Sequence, residues 1–590
     1  GAPPSPTDKL LTESTVIGVM RRVLALSVVA AVLLLAVGAG GGAAVETAPA
    51  STGSAAIHAG APTSATPAEC DAGDGPELVG CWNGTHYEDA VAFDQADGLT
   101  QAELAALTDL TMAQVEHIRE RPFRRDVPVE TVARSDFMND SAAGGFGGSD
   151  PEFQRWNDQV WKALFVVGEA ENTSDAIGGV YGSAVSGFYS PAQDRIVLVI
   201  PADEDPQIAP STLAHELIHA MQDQYHDLSR PRYAGETQDG DLAINGIVEG
   251  EAVHVEERYA ARCADNWTCP DPPESGGGGG SGADYNFGIL QTILQPYGDG
   301  ALYVRELVAA DGWRAVNETM NDPPGSTAEV IHRDPDYETR DIEFEDTATG
   351  GWETYPDQGV EGADTAGEAS MFVMFWYQSY EYGYSIFDPS ASVRENVQVH
   401  TQTDERLETR FTYNYEHPAT AGWADDELYP YRNGDRDGYV WATEWQTAAD
   451  ATEFREAYLR MLTAHGGDEF TAGEVYEIPD GDFRGAYAVE RTGTRVTITH
   501  APAPDGVRDL RPNADLAVPT TSDGDEAADT DGDEADGTDT DDPDIDSGDD
   551  GGDDAGPDAG TGDGTPGFGV TAALVALLAV VALGARRVRP

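Results

Sequence analysis

His215-Glu216-Leu217-Ile218-His219 lies inside residues 213–228, a stretch that no Gly or Pro interrupts. On a helix, residues four apart share a face, so both imidazoles can be aimed at one metal ion. The Glu beside the first His then lies next to a metal-bound water, where a general base is needed. Ser211 or Thr212 is expected to cap the helix start. Leu213, Leu217 and Met221 form an apolar stripe, flanked by Ala214 and Ile218, that buries the helix and turns its histidine face toward a cleft. Upstream, residues 185–189 and 195–200 flank a Ser-Pro-Ala-Gln-Asp turn and read as a β-hairpin. A strand there offers an edge to which an extended peptide can add.

A catalytic zinc needs a third protein ligand and one open position for water. In the pattern HExxHxxGxxH the third ligand is a His ten residues after the first, but here position 222 is Gln and position 225 is Tyr. His226 misses the register by one, and without the Gly a continuing helix carries it about 16 Å along the axis at ~1.5 Å per residue. The competing pattern takes a Glu from a following helix. Ile247-Val248-Glu249-Gly250-Glu251-Ala252 supplies one, within a segment whose Ile244, Ile247, Val248 and Tyr259 predict a helix packed by one face.

These features resemble the gluzincin metallopeptidases, in which HExxH is followed by a Glu in an EGxA-type helix. The resemblance implies His215, His219 and Glu249 as ligands of one catalytic Zn2+ and Glu216 as the base. A narrower resemblance, to secreted or surface gluzincin-like proteins, runs from HELxHAxQDQ (residues 215–224) through VEGEA to PYGDGALYVRELVAADGW, and covers roughly residues 187–501. It implies an α+β, zincin-like body: edge strand and hairpin, HExxH helix, Glu-bearing helix and a helical C-terminal part. Many gluzincins carry an orienting acid four residues after the ligand Glu, where this chain has Val253; Glu251, Glu256 and Asp241 are the candidates to replace it.

The chemistry implied is hydrolysis of a peptide or protein substrate by activated water, with Glu216 taking the proton and returning it to the leaving amine. Tyr189, Tyr297, His254 and His332 are candidate donors to the oxyanion. The other reading is a non-catalytic structural or binding component of the archaeal surface layer that keeps a zincin fold.

Both ends of the chain bear on where it works. Met20-Arg21-Arg22 precedes fifteen apolar or small residues, 23–37, and a Gly/Ala-rich stretch, the layout of a secretory signal peptide. At the other end Pro566-Gly567-Phe568 precedes an apolar run over residues 570–585, closed by Arg586, Arg587 and Arg589. Arginines stay on the cytoplasmic side, which leaves the body outside. This end resembles the PGF-CTERM sorting signal of haloarchaeal surface glycoproteins, which implies processing by an archaeosortase and a lipid anchor in the membrane. The expected organisation is an upstream extension (1–19), signal peptide (20–49), linker (50–69), zincin-like surface domain (70–512), acidic stalk (513–565) and sorting signal with a transmembrane helix (566–590).

Composition points the same way. There are 34 Lys and Arg against 106 Asp and Glu, a formal charge of −72, and Lys9 and Lys162 are the only lysines. Such a balance resembles proteins of salt-in halophiles, where molar salt screens self-repulsion. It excludes nucleic acid as a partner, because no basic patch neutralises phosphates. Residues 521–560 hold 18 acids and no base, a run that cannot bury a core. Four cysteines suit an exported chain, and proximity favours Cys70 with Cys81 and Cys263 with Cys269; a four-thiolate zinc site is the rival, though neither spacing is CxxC. Asn83, Asn139, Asn172, Asn266 and Asn317 are candidate glycosylation sites.

Overall fold

A computed structural model describes residue 70 and residues 79–137, 150–184, 187–200, 205–272, 286–386, 397–402, 407–471 and 475–514. The signal peptide, the first linker, Asn139, the 276–280 glycine run, nearly all of the stalk and the sorting signal with its apolar run, expected as a transmembrane helix, lie outside these residues. Among the described residues no helix is long and apolar enough to cross a membrane.

Helix α1 (Gln101–Arg119) starts with a reciprocal cap: the Glu103 N–H donates to the Thr100 hydroxyl, and the Thr100 N–H donates to the Glu103 carboxylate. The sequence predicts a helical pair here, but the chain forms one helix. Within it Thr108 and Thr111 turn their hydroxyls back onto the carbonyls of Leu104 and Leu107, so the helix continues through them. Strands β1 (Val129–Ala133), β2 (Gly187–Ser190) and β3 (Arg195–Ile200) form a sheet in the order β1-β3-β2, with β1 parallel and β2 antiparallel to β3. The expected hairpin is β2-β3, and β2 lies at the sheet edge.

Helix α2 (Pro210–His226) carries HExxH. Pro210 occupies the first helical position, where its fixed φ suits the helix and its missing N–H costs nothing. The cap position therefore falls on Ala209, and Ser211 and Thr212 sit inside the first turn, so neither is the cap. Helix α3 (Gln238–Asp265) starts at Thr237, whose hydroxyl accepts from the Gly240 N–H. A π-helical turn (Pro296–Gly300) then leads into α4 (Ala301–Asn321), which is broken at Asp311-Gly312. Helix α3 packs against both α2 and this turn. The second contact needs glycine on both sides: a Cβ on Gly250 would lie 2.3 Å from the Gly300 carbonyl oxygen, and one on Gly300 would lie 2.3 Å from that of Gly246.

The C-terminal part is not the helical region that was expected. Helix α5 (Gly367–Glu381) and helix α6 (Ala448–Ala464) accompany a six-stranded antiparallel sheet of β4 (Trp423–Asn433), β5 (Arg436–Trp445), β6 (Asp468–Thr471), β7 (Val475–Ile478), β8 (Gly485–Thr492) and β9 (Arg495–Ala501), ordered β6-β7-β8-β9-β5-β4. Two residues disguise β4. Pro430 lacks an N–H and is tolerated because β4 is an edge strand. Asp426 breaks the apolar pattern yet is buried, because its carboxylate accepts from the N–H groups of Ala366, Gly367, Trp423 and Trp441. The β8-β9 hairpin forms where the sequence places it, turning at Gly493. The body is α+β, with Leu107, Leu213, Leu217, Ala252 and Val255 sharing a core around α2 and α3, and Trp423, Trp441, Phe454 and Tyr458 sharing another in the C-terminal part.

Gly250→Ala is expected to destabilise the fold by about 3 kcal/mol or more, beyond an ordinary overpacking change, because the added methyl meets backbone rather than a yielding side chain. Denaturant unfolding of the two proteins in molar salt measures it; a loss under about 0.5 kcal/mol contradicts the close crossing.

Candidate metal centre

Four residues apart on α2, the rings of His215 and His219 have centroids 4.9 Å apart. Glu249 reaches them from α3: its Oε2 is 3.3 Å from His215 Nε2 and 3.4 Å from His219 Nε2. One ligand atom from each of the three lies within 4.8 Å of the others, and none of the three side chains is more than 2% exposed. The histidine face is thus closed over rather than facing an open cleft. Helix α3 packs on it, and the π-helical turn stacks the Tyr297 ring on His215, the planes 9° apart with centroids 6.2 Å apart. Short π-helical segments recur at functional sites.

Each imidazole is held from behind. His215 Nδ1 lies 3.2 Å from Glu256 Oε2, and His219 Nδ1 lies 2.9 Å from Gln222 Oε1. Glu256 is seven residues after Glu249, two helical turns along the same face, so one face of α3 addresses both nitrogens of His215. The other two acids considered for this role do different work. Asp241 accepts from the Gly235 N–H near the start of α3, and Glu251 accepts from Gln222 and from the Arg119 guanidinium. Val253 is a buried apolar residue.

Glu216 is fully buried beside the cluster, its Oε2 accepting from the Tyr189 N–H at 2.7 Å. That N–H points outward from edge strand β2, and it is committed to Glu216 rather than to a docked strand. The other oxygen, Oε1, has no hydrogen-bond partner among the described residues. Burial pushes the Glu216 carboxyl up, and the neighbouring His215 and His219 oppose the shift. Glu249 goes the other way. Burial alone would raise it, but the neighbouring His219 and His215 imidazoles, His219 first, bring it down to about 2. Burial would lower His215, yet hydrogen bonds to Glu249 and Glu256 hold it well above the usual imidazole range.

The donor set fits a divalent cation on this geometry. Two imidazole nitrogens and a carboxylate oxygen converge, each ring has its second nitrogen against an oxygen, and His219 Nε2 is buried without a hydrogen-bond partner among the described residues.

The four candidate oxyanion donors separate. Tyr297 lies beside His215. The Tyr189 hydroxyl donates to Asp223 at 2.9 Å. His254 accepts from the Arg258 Nε–H at 2.8 Å, and burial together with Arg258 pushes it down to about 3. His332 pairs with Glu368 at 2.8 Å. His226 contacts Asn321 at 3.4 Å and is not part of the cluster. Sequence reasoning missed Gln222, Arg119 and the backbone of Tyr189. Only Gln222 carried a signal, three residues after His219 and so on the same helix face.

Disulfides join Cys70 to Cys81 and Cys263 to Cys269. Asn83 and Asn266 are exposed, whereas Asn172 and Asn317 are half-buried, with Asn317 Oδ1 accepting from Arg119 at 2.7 Å.

Two matches to known families stand beside this geometry. Residues 353–511 match the family described as Domain of unknown function (DUF8575), a segment that holds the whole six-stranded C-terminal sheet and excludes His215, His219 and Glu249. Residues 565–587 match the PGF-CTERM motif. No curated protein and no solved structure matches the chain. The PGF-CTERM match marks an exported protein, processed by an archaeosortase and anchored through its C-terminus at the outer face of the cell membrane.

Proposed function

We propose that this chain is a surface-anchored zinc metallopeptidase with a zincin-like body, acting on peptides or proteins of the cell envelope, surface-layer proteins among them. One observation carries the reading: Glu249 Oε2 lies within 3.4 Å of the Nε2 atoms of both HExxH histidines, with the Glu between those histidines buried alongside. Two imidazoles and a carboxylate are a ligand set used by catalytic zinc.

Zinc held there by His215, His219 and Glu249 would polarise a scissile carbonyl and lower the pKa of a water. Glu216 supplies the base. With Oε2 fixed on the Tyr189 N–H, Oε1 is the atom that accepts the proton of the attacking water and later passes it to the leaving amine. The upward push on its carboxyl brings it nearer the operating pH, where a group best gives and takes protons. Glu256 and Gln222 keep the two rings oriented. Of the four oxyanion candidates, Tyr297 is the one whose ring lies against a ligand histidine.

In molar KCl, Glu216→Gln is expected to retain zinc and to lose at least about 100-fold in hydrolysis of a broad peptide library. If wild type and variant both bind zinc and are equally inert, the chain is a zinc-stabilised surface component instead.

A second prediction concerns pH. A group whose pKa is raised in the folded state stabilises fully below its unfolded value and stops doing so as pH rises through the folded value. His215 is such a group in the metal-free protein. The EDTA-treated protein should therefore lose melting temperature as pH climbs above the ordinary imidazole range, while the zinc-loaded protein holds its own. Zinc binding near neutral pH should release a proton, which calorimetry reads as a dependence on the buffer's ionisation enthalpy. A binding heat independent of buffer contradicts this arrangement.

A further inference from the structure

The Gln at position 222 defeats the HExxHxxGxxH reading, and it has its own place in the structure. Its side-chain amide makes three contacts, two of them with groups whose roles are fixed. The Nε2 end donates to the Val248 carbonyl at 2.9 Å and to Glu251 Oε2 at 3.0 Å. Both partners only accept, so the NH2 end must face them, and the carbonyl end Oε1 must face His219 Nδ1 at 2.9 Å. A carbonyl oxygen cannot donate. The proton in this contact therefore belongs to His219 Nδ1, and the lone pair of the neutral ring lies on Nε2, the atom 3.4 Å from Glu249.

The orientation of the amide depends in turn on Glu251. That carboxylate is almost wholly buried and is ion-paired to the Arg119 Nε–H, which comes from the end of α1, 132 residues earlier. Burial would raise the Glu251 carboxyl, but Arg119 and Gln222 hold it below the usual range. Arg119 is itself fixed: its guanidinium lies 4.2 Å from the centroid of the Trp313 ring, and Nη2 donates to Asn317 Oδ1. The two imidazoles are thus oriented by different chemistry, His215 by the Glu256 carboxylate and His219 by a neutral amide.

We propose that Arg119, Glu251 and Gln222 form a positioning relay that fixes His219 as the Nδ1–H tautomer and so presents Nε2 for metal ligation. The proposal rests on the metal-site reading for its purpose, but the tautomer can be measured without metal. A 15N spectrum of the His-labelled, metal-free protein in molar KCl, at a pH where the ring is neutral, should show His219 protonated at Nδ1. Gln222→Met keeps the side-chain length and removes both ends of the amide. It is expected to mix the His219 tautomers and to weaken zinc binding 10- to 100-fold, read by chelator competition. Gln222→Glu restores an acceptor for Nδ1 and should recover the Nδ1–H tautomer and zinc affinity to within about threefold, at some cost in stability beside Glu251.

A wild-type His219 protonated at Nε2 overturns the relay, as does a folded Gln222→Met protein that binds zinc within threefold of wild type. If Gln222→Met does not fold, the wild-type tautomer alone decides. If the wild type shows the Nδ1–H tautomer but takes up no zinc, the relay stands and the peptidase reading falls.

Discussion

The approach of one carboxylate oxygen, Glu249 Oε2, to the Nε2 atoms of two histidines on a different helix constrains much of this half of the molecule. It sets the register of α3 against α2, because a shift of one residue along α3 rotates Glu249 by about 100° away from the pair. The same register brings Glu256 under His215 and places the Val248 carbonyl where Gln222 can donate to it. On α3, Gly246 and Gly250 let the π-helical turn come close enough to set Tyr297 against His215. Edge strand β2 closes the remaining side by giving the Tyr189 N–H to Glu216. Each neighbour of the site thus follows from a helix crossing that only a few side chains permit.

Local sequence disclosed the parts of the site that lie on one helix and little of what lies between elements. The placement of His215, Glu216 and His219 was legible because it depends on helical spacing alone. Glu249 was legible only through its resemblance to a known pattern, since no spacing rule sets the distance between two helices. Glu256 stood as one of three candidates. Geometry separates it from Glu251 and Asp241, which sit on the same helix and are equally acidic in sequence. Arg119 was invisible, because its connection to Glu251 crosses 132 residues of chain. The hairpins β2-β3 and β8-β9 could be read from alternation and turn residues. The hairpin β4-β5 was hidden by Pro430 and Asp426, although Asn433-Gly434 at its turn, with Gly434 at φ +61°, is a strong hairpin signal. What failed there was the rule that apolar residues mark the buried face, since Asp426 is buried through four N–H donors.

That exception bears on the acidity of the whole chain. A charge of −72 is readily tolerated where acids face salt water, and self-repulsion is screened there. Buried acids are a separate matter, each costing several kcal/mol unless it is paired. Besides Asp223, Asp239 and Asp241, helices α2 and α3 bury four glutamates around the cluster, Glu216, Glu249, Glu251 and Glu256, with Arg119 as the buried arginine paired to one of them. Arg119 answers Glu251. Glu216, pushed upward by burial, takes a proton more readily than an ordinary carboxylate and need not carry charge throughout. Glu249 and Glu256 remain, both against His215. A proton on His215 offsets one of these charges. A dication bound by Glu249 and two neutral imidazoles offsets both, and it draws on the His215 and His219 nitrogens that face Glu249. For the two carboxylates that face His215, the charge balance is thus met more fully by the divalent metal proposed above than by a protonated histidine.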